Sequence, residues 1–148
     1  MPYGLAGTRD TNVIVEMDFD RRSVPVRIVV WPAHPAVFTA NSLGQGQGAV
    51  LNQEGSVNSV ANPAAKRSVI VFYDTGGGEL LGDRLALPVK VYVDGIDSEI
   101  LYAGVAPGLV SGALQIDVRV PDRASKGGLI LRVGERESQE GVIVSLRE

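Results

Sequence analysis

The sequence contains no cysteine and a single histidine, His34. The first absence removes disulfides, thiolate metal centres and cysteine nucleophiles. The second removes multi-histidine metal sites and leaves a histidine-based triad little to build on. His34 lies in Pro32-Ala33-His34-Pro35, a rigid extended stretch, where a solvent-exposed or hydrogen-bonded structural role is expected. Basic residues number 14, scattered singly in a chain of net charge -3, so no cationic stripe is available for a nucleic-acid backbone. No apolar run approaches the roughly 20 residues needed to span a bilayer, which excludes insertion as a helix. Residues 1–15 lack the basic head and hydrophobic block of a signal peptide, so an export signal would lie outside this chain.

What is present is a period of two. In Leu114-Gln115-Ile116-Asp117-Val118-Arg119-Val120 every polar residue falls on the face opposite the apolar ones, the mark of a half-buried strand. Residues 13–17, 24–30, 69–73, 89–93, 129–133 and 142–146 behave similarly, and 100–103 form a shorter run. Turn signals separate them: Asp18-Phe19-Asp20, Gly76-Gly77-Gly78, Asp94-Gly95, Gly127-Gly128 and Gly134-Glu135. No stretch of a dozen residues carries the helical period. Short strands at roughly ten-residue spacing predict an all-β, immunoglobulin-like β-sandwich.

Residues 32–65 depart from this pattern. They are rich in Gly, Asn, Gln, Ser and Ala, and residues 48–57 read as a small hairpin turning at 53–55. An internal echo lies on either side of this segment. Residues 13–17, a charged turn and 26–30 follow Pro2 in the order that 129–133, a charged turn and 142–144 follow Pro121. The expected organisation is an incomplete N-terminal β unit at 1–35, a connector with a small hairpin at 36–65, and a complete sandwich at 66–148. Two strands alone cannot bury an apolar face, and an unpaired edge is a template for another chain. The N-terminal hairpin is therefore expected to dock either onto the second unit's own sheet or onto a neighbouring chain, and self-association, as a symmetric dimer or a filament, is the favoured of the two.

Candidate chemistry is sparse. Asp74 and Glu79 flank the glycine run and Glu54 sits on the connector hairpin. A glycosidase needs two carboxyls about 5 to 9.5 Å apart, and no spacing here demands that arrangement. Solvated turn carboxylates are the expected state of all three. Asp18-Phe19-Asp20 and Asp94-Gly95-Ile96-Asp97-Ser98-Glu99 offer oxygens to calcium, but they are too few and too dispersed for a full cage, so no metal is assigned. Gly76-Gly77-Gly78 lacks the Lys-Ser/Thr of a phosphate loop and reads as a flexible turn, and no cofactor is expected. Among the few aromatics, Trp31, Tyr73 and Tyr92 are the candidates for stacking a sugar ring, if the tyrosines occupy adjacent strands.

Several blocks resemble the Solibacter-type C-terminal domain of large secreted proteins of soil acidobacteria. They are Pro2-Tyr3-Gly4-Leu5-Ala6-Gly7, residues 44–59, Asn62-Pro63-Ala64-Ala65, residues 101–110 and residues 114–121. The resemblance implies tandem immunoglobulin-like units at the ends of exported proteins, hence an extracellular or cell-surface setting. It supplies no activity and no catalytic residues. The chain departs from the family pattern at Gly76-Gly77-Gly78, where a Glu is usual and a longer loop follows. It also begins at the Pro-Tyr-Gly block, ahead of which the family's first unit normally has strands. The leading expectation is a non-catalytic structural or adhesive module. A carbohydrate-binding module and a small glycoside hydrolase using paired carboxylates are the alternatives.

Overall fold

Alternation decides the central strand. In Leu114–Arg119 the side chains of Leu114, Ile116 and Val118 are buried, while Gln115, Asp117 and Arg119 are half-exposed. A slip of one residue would invert the whole set, so the register is fixed by burial. This strand pairs antiparallel with Val69–Thr75 on one side (Ile116 opposite Phe72) and with Ile100–Val105 on the other (Ile116 opposite Ala103). An irregularity between Ile100 and Tyr102 leaves Leu101 facing solvent. Arg84–Leu85 and Leu80–Leu81 extend the sheet beyond Ile100–Val105, whereas Ala36–Val37 and Val50–Leu51 both pair with Val69–Thr75.

A four-stranded sheet runs in the order Ile96–Asp97, Val89–Val93, Leu129–Val133, Arg136–Glu137. Its inward residues Val91, Val93, Leu129, Leu131 and Val133 enter the same core as Ile70, Phe72, Ile116 and Val118. The turn joining Val89–Val93 to Ile96–Asp97 is Asp94-Gly95, both at positive φ (54° and 74°), as a two-residue hairpin turn requires. The structure, a computed structural model, describes residues 5, 7–18 and 21–147; within them the chain is all-β, with several sheets and no α-helix.

Residues 36–65 do more than connect. Besides the two strands just named, Gly46–Gln47 runs parallel to Val142–Ile143 and Ala64–Ala65 parallel to Leu146–Arg147. Ala33, Val37, Val50 and Ala64 belong to the core that residues 66–147 build. The expected turn at 53–55 is present: the Gly55 N–H donates to the Asn52 carbonyl and Gly55 has φ 83°. Side chains hold the segment where its two-residue strands cannot. Gln139 both accepts from the Val37 N–H (3.0 Å) and donates to the Val37 carbonyl (2.6 Å). Asn58 does the same to Ser145, at 2.8 and 2.9 Å. Each amide thus completes a strand-like pair with a backbone far away in sequence.

The glycine run is a docking surface for the chain itself. The His34 N–H donates to the Gly76 carbonyl at 2.8 Å. A Cβ at Gly76 would collide with the His34 carbonyl, and one at Gly78 with the Pro32 carbonyl. The run is glycine because two backbones pass in contact there, which corrects its reading as a merely flexible turn.

Ahead of this point stands the N-terminal hairpin, Asp10–Val13 paired with Val26–Val29 and Glu16–Met17 with Arg21–Arg22. Between those pairs Val15 and Ser23 are bonded twice, Ser23 N–H to the Val15 carbonyl (2.9 Å) and Val15 N–H to the Ser23 hydroxyl (3.0 Å). Leu131 and Ser138 repeat that pattern at 2.7 and 3.0 Å. The sequence echo thus has a counterpart in hydrogen bonding.

Candidate functional site

The carboxylates singled out from sequence lie in unlike surroundings. Glu54 is exposed on its turn, where the Ser56 hydroxyl donates to it and holds it below the usual carboxylate range. It lines a groove of about 300 Å³ with Asn52, Gln53, Asn62, Pro63 and Arg147, a groove that neither Asp74 nor Glu79 lines. Glu79 is exposed, its carbonyl accepting from the Ala86 N–H.

Asp74 is the surprise. The strand Val69–Thr75 runs past the expected end at residue 73, and alternation from Ile70 and Phe72 carries Asp74 inward. Its side chain is fully buried, and neither carboxylate oxygen has a hydrogen-bond partner. Burial pushes its pKa up to about 7. The expectation of a solvated turn carboxylate is wrong at this position. A sealed acid in the core has no access to a glycosidic bond.

A second groove, about 500 Å³, is lined by His34, Pro35, Leu43, Gln45, Glu137 and Gln139 among others. Its one carboxylate, Glu137, is ion-paired with Arg132, and Gln139 is engaged with Val37. Each groove therefore holds a single acid beside a cation or an occupied amide.

The aromatic candidates are also dispersed. Tyr73 lies in the larger sheet, opposite Gln115, and Tyr92 in the four-stranded sheet, opposite Ile130, so they share no stacking surface. The Arg132 guanidinium stands 5.5 Å from the Tyr92 ring centroid. Trp31 is half-exposed, with the Arg136 guanidinium 3.7 Å over its ring, a cation–π contact that occupies one face.

Among the calcium candidates, Phe19 and Asp20 lie outside the described residues. Asp94 has a different task. Its carboxylate accepts the backbone N–H groups of Ser125, Lys126 and Gly128 at 2.6 to 2.8 Å, clamping that loop onto the Asp94-Gly95 turn. Burial works to raise its pKa, but these donors prevail and hold it below the usual value. No cluster of three or more His, Cys, Asp or Glu suited to a metal occurs among the described residues. Replacing Asp94 by Ala strands three backbone donors. We expect a loss of about 1–3 kcal/mol in urea unfolding, with faster amide exchange confined first to residues 125–128.

Periodicity gives no hint of the most extensive polar constellation. The Asn58 amide donates to Asn52 (2.8 Å), the Gln47 amide to Asn58 (2.9 Å) and the Ser145 hydroxyl to Gln47 (2.8 Å), with Asn52 and Asn58 buried. The network is neutral, and its groups serve one another and the backbone of Asn62 and Ser145. It stitches the 46–65 segment to the C-terminal strands rather than presenting groups to a ligand. No family model matches this chain, and no curated protein or solved structure matches it either.

Proposed function

We propose that the chain is a non-catalytic structural or adhesive module of an exported protein, built as an immunoglobulin-like β-sandwich with a second, incomplete unit at its N-terminus. One observation carries the reading: among the described residues, every buried polar side chain except Asp74 is committed to internal bonds. Asn52, Asn58, Ser98 and Ser138 bond to one another or to backbone, while Asp74 is enclosed and unpartnered. A catalytic site needs the reverse, polar groups converging on an open cleft with perturbed acids in reach of substrate. Two sheets lining a single core, with antiparallel pairing throughout the longer strands, support the sandwich. The exported setting is supported by the sequence blocks that resemble the secreted acidobacterial module.

A glycan array probed with the purified 148-residue chain tests the reading. The expected result is no glycan above background and no release of reducing sugar from polysaccharides. Saturable binding that disappears in Trp31→Ala would replace it with a carbohydrate-binding module. Hydrolysis that disappears in Glu54→Gln would replace it with an enzyme.

A further inference from the structure

We propose that Asp74 is a pH-sensitive catch under the strap of residues 32–37, which ties the N-terminal hairpin to the body: while the carboxyl keeps its proton the strap stays shut, and once the proton can leave the strap opens far more often. The larger sheet ends at this strap. Ala36–Val37 pairs with Val69–Thr75 on one side, and among the described residues no strand lies beyond it. The Phe38 N–H donates to the Tyr73 carbonyl at 2.9 Å, which sets the phase of the ladder. Val37 and Asp74 then face each other at a position without mutual hydrogen bonds, where side chains on one face stand closest. The other cross-strand neighbour of Asp74 is Leu114 on the central strand. The carboxyl is thus buried beside two aliphatic side chains, with neither oxygen partnered.

No charge offsets this burial. The four-stranded sheet sends only aliphatic side chains into the core. Its titratable groups, Lys90, Tyr92, Asp97, Arg132, Arg136 and Glu137, are exposed or half-exposed. On the larger sheet Tyr73, Arg84, Asp117 and Arg119 are likewise exposed or half-exposed, as are His34 on the strap and Glu79 after the glycine run. Burial alone raises the carboxyl to about 7.

Wetting Asp74 requires one flank to move. Leu114–Arg119 is paired on both sides and cannot leave without dismantling the sheet. The strap is held by two residues of ladder, the bond from His34 to Gly76 and the two bonds between Gln139 and Val37. Phe38, whose N–H bonds to Tyr73 and whose carbonyl accepts from Ala49, is the pivot. Ahead of the strap stands the half-exposed contact of Trp31 with Arg136. In the hairpin itself Val13, Val15, Val26 and Val29 are exposed, so burial there adds little to the hold.

With the strap open, the carboxyl has its ordinary value of 3.8. Below about pH 4 both forms keep the proton, and opening does not depend on pH. Between about 4 and 7 the open form releases it and the shut form does not, so opening eases by about tenfold per pH unit. Above about 7 the gain stops, at about a thousandfold in all. The strap is shut for most of the time throughout; pH sets how often it opens.

Amide exchange of the full chain at pH 4, 6 and 8, with each rate divided by that of unstructured chain at the same pH, reads the opening at His34 and Val37. Both should be less protected than Leu131 in the core of the smaller sheet at every pH. Their protection should fall on the order of 500-fold from pH 4 to pH 8 in the parent, and stay level in Asp74→Asn. Gln139→Ala removes both outer bonds of Val37. It should lower the protection of His34 by about tenfold at every pH and leave the pH dependence as it was. Protection at His34 and Val37 that ignores pH in the parent overturns the proposal, and so does a dependence that persists in Asp74→Asn. Strap amides as well protected as Leu131 would place the whole effect on global unfolding and overturn it too. The same holds if Gln139→Ala leaves His34 as protected as in the parent.

Discussion

At pH 8, Asp74→Asn should be more stable than the parent by up to about 4 kcal/mol, and near pH 4 the difference should vanish. The parent carboxyl has a folded pKa of about 7 against an ordinary value of 3.8. Below about pH 4 the group is protonated in both folded and unfolded chains, so it contributes no pH-dependent penalty. Between about 4 and 7 the unfolded chain releases its proton while the folded chain keeps it. The unfolded state then binds fewer protons, and stability falls as pH rises. Above about 7 the loss is complete, about 3 pH units at about 1.4 kcal/mol each. Asparagine has nearly the same shape and no charge, so the variant lacks this slope. Both side chains leave a polar group unsatisfied, and that shared cost cancels in the comparison. Asp74→Val removes it as well, and should gain a further 1–3 kcal/mol or so at every pH, since valine suits the strand position beside Phe72. Urea unfolding of the three proteins at pH 4, 6 and 8 decides the matter. Curves for parent and Asp74→Asn that stay parallel across this range would mean the carboxylate finds a partner or solvent in solution.

Asp74 also marks the boundary of what the sequence makes legible. The pattern Ile70-Val71-Phe72-Tyr73-Asp74 already places Asp74 on the inward face, but a charged residue next to three glycines reads as the start of a turn. The chemistry of the residue type outweighed the period, and the period was right. Residues 36–65 failed in another way. Their strands are two residues long, too short for alternation to register, and their places are set by Gln139 and Asn58 bonding to backbone 102 and 87 residues away. Side chains that imitate strand pairing carry no local signature. The paired tyrosine platform failed because it required adjacent strands, and the assignment of strands to sheets is a tertiary fact. The exposed apolar hairpin, by contrast, was legible from strand counting alone.

The strand on which the sequence spoke most clearly carries the other large effect. Ile116→Ala should destabilise the protein by about 2–5 kcal/mol, the range for emptying a buried large side chain. Ile116 is fully buried at the centre of the seven-stranded sheet, between Phe72 on one neighbour and Ala103 on the other. The alanine on one flank cannot extend to refill the space. Phe72 is itself fully buried and held by its own packing, so little relaxation is available. The cost should therefore fall in the upper half of that range. Leu101→Ala on the neighbouring strand is the control: its side chain faces solvent at the irregularity, and its loss should change stability by no more than about 0.5 kcal/mol. Urea midpoints should separate the two variants clearly while the dependence on denaturant stays that of the parent. Equal, small losses for both would mean that the Leu114–Arg119 strand does not face the core in the register described.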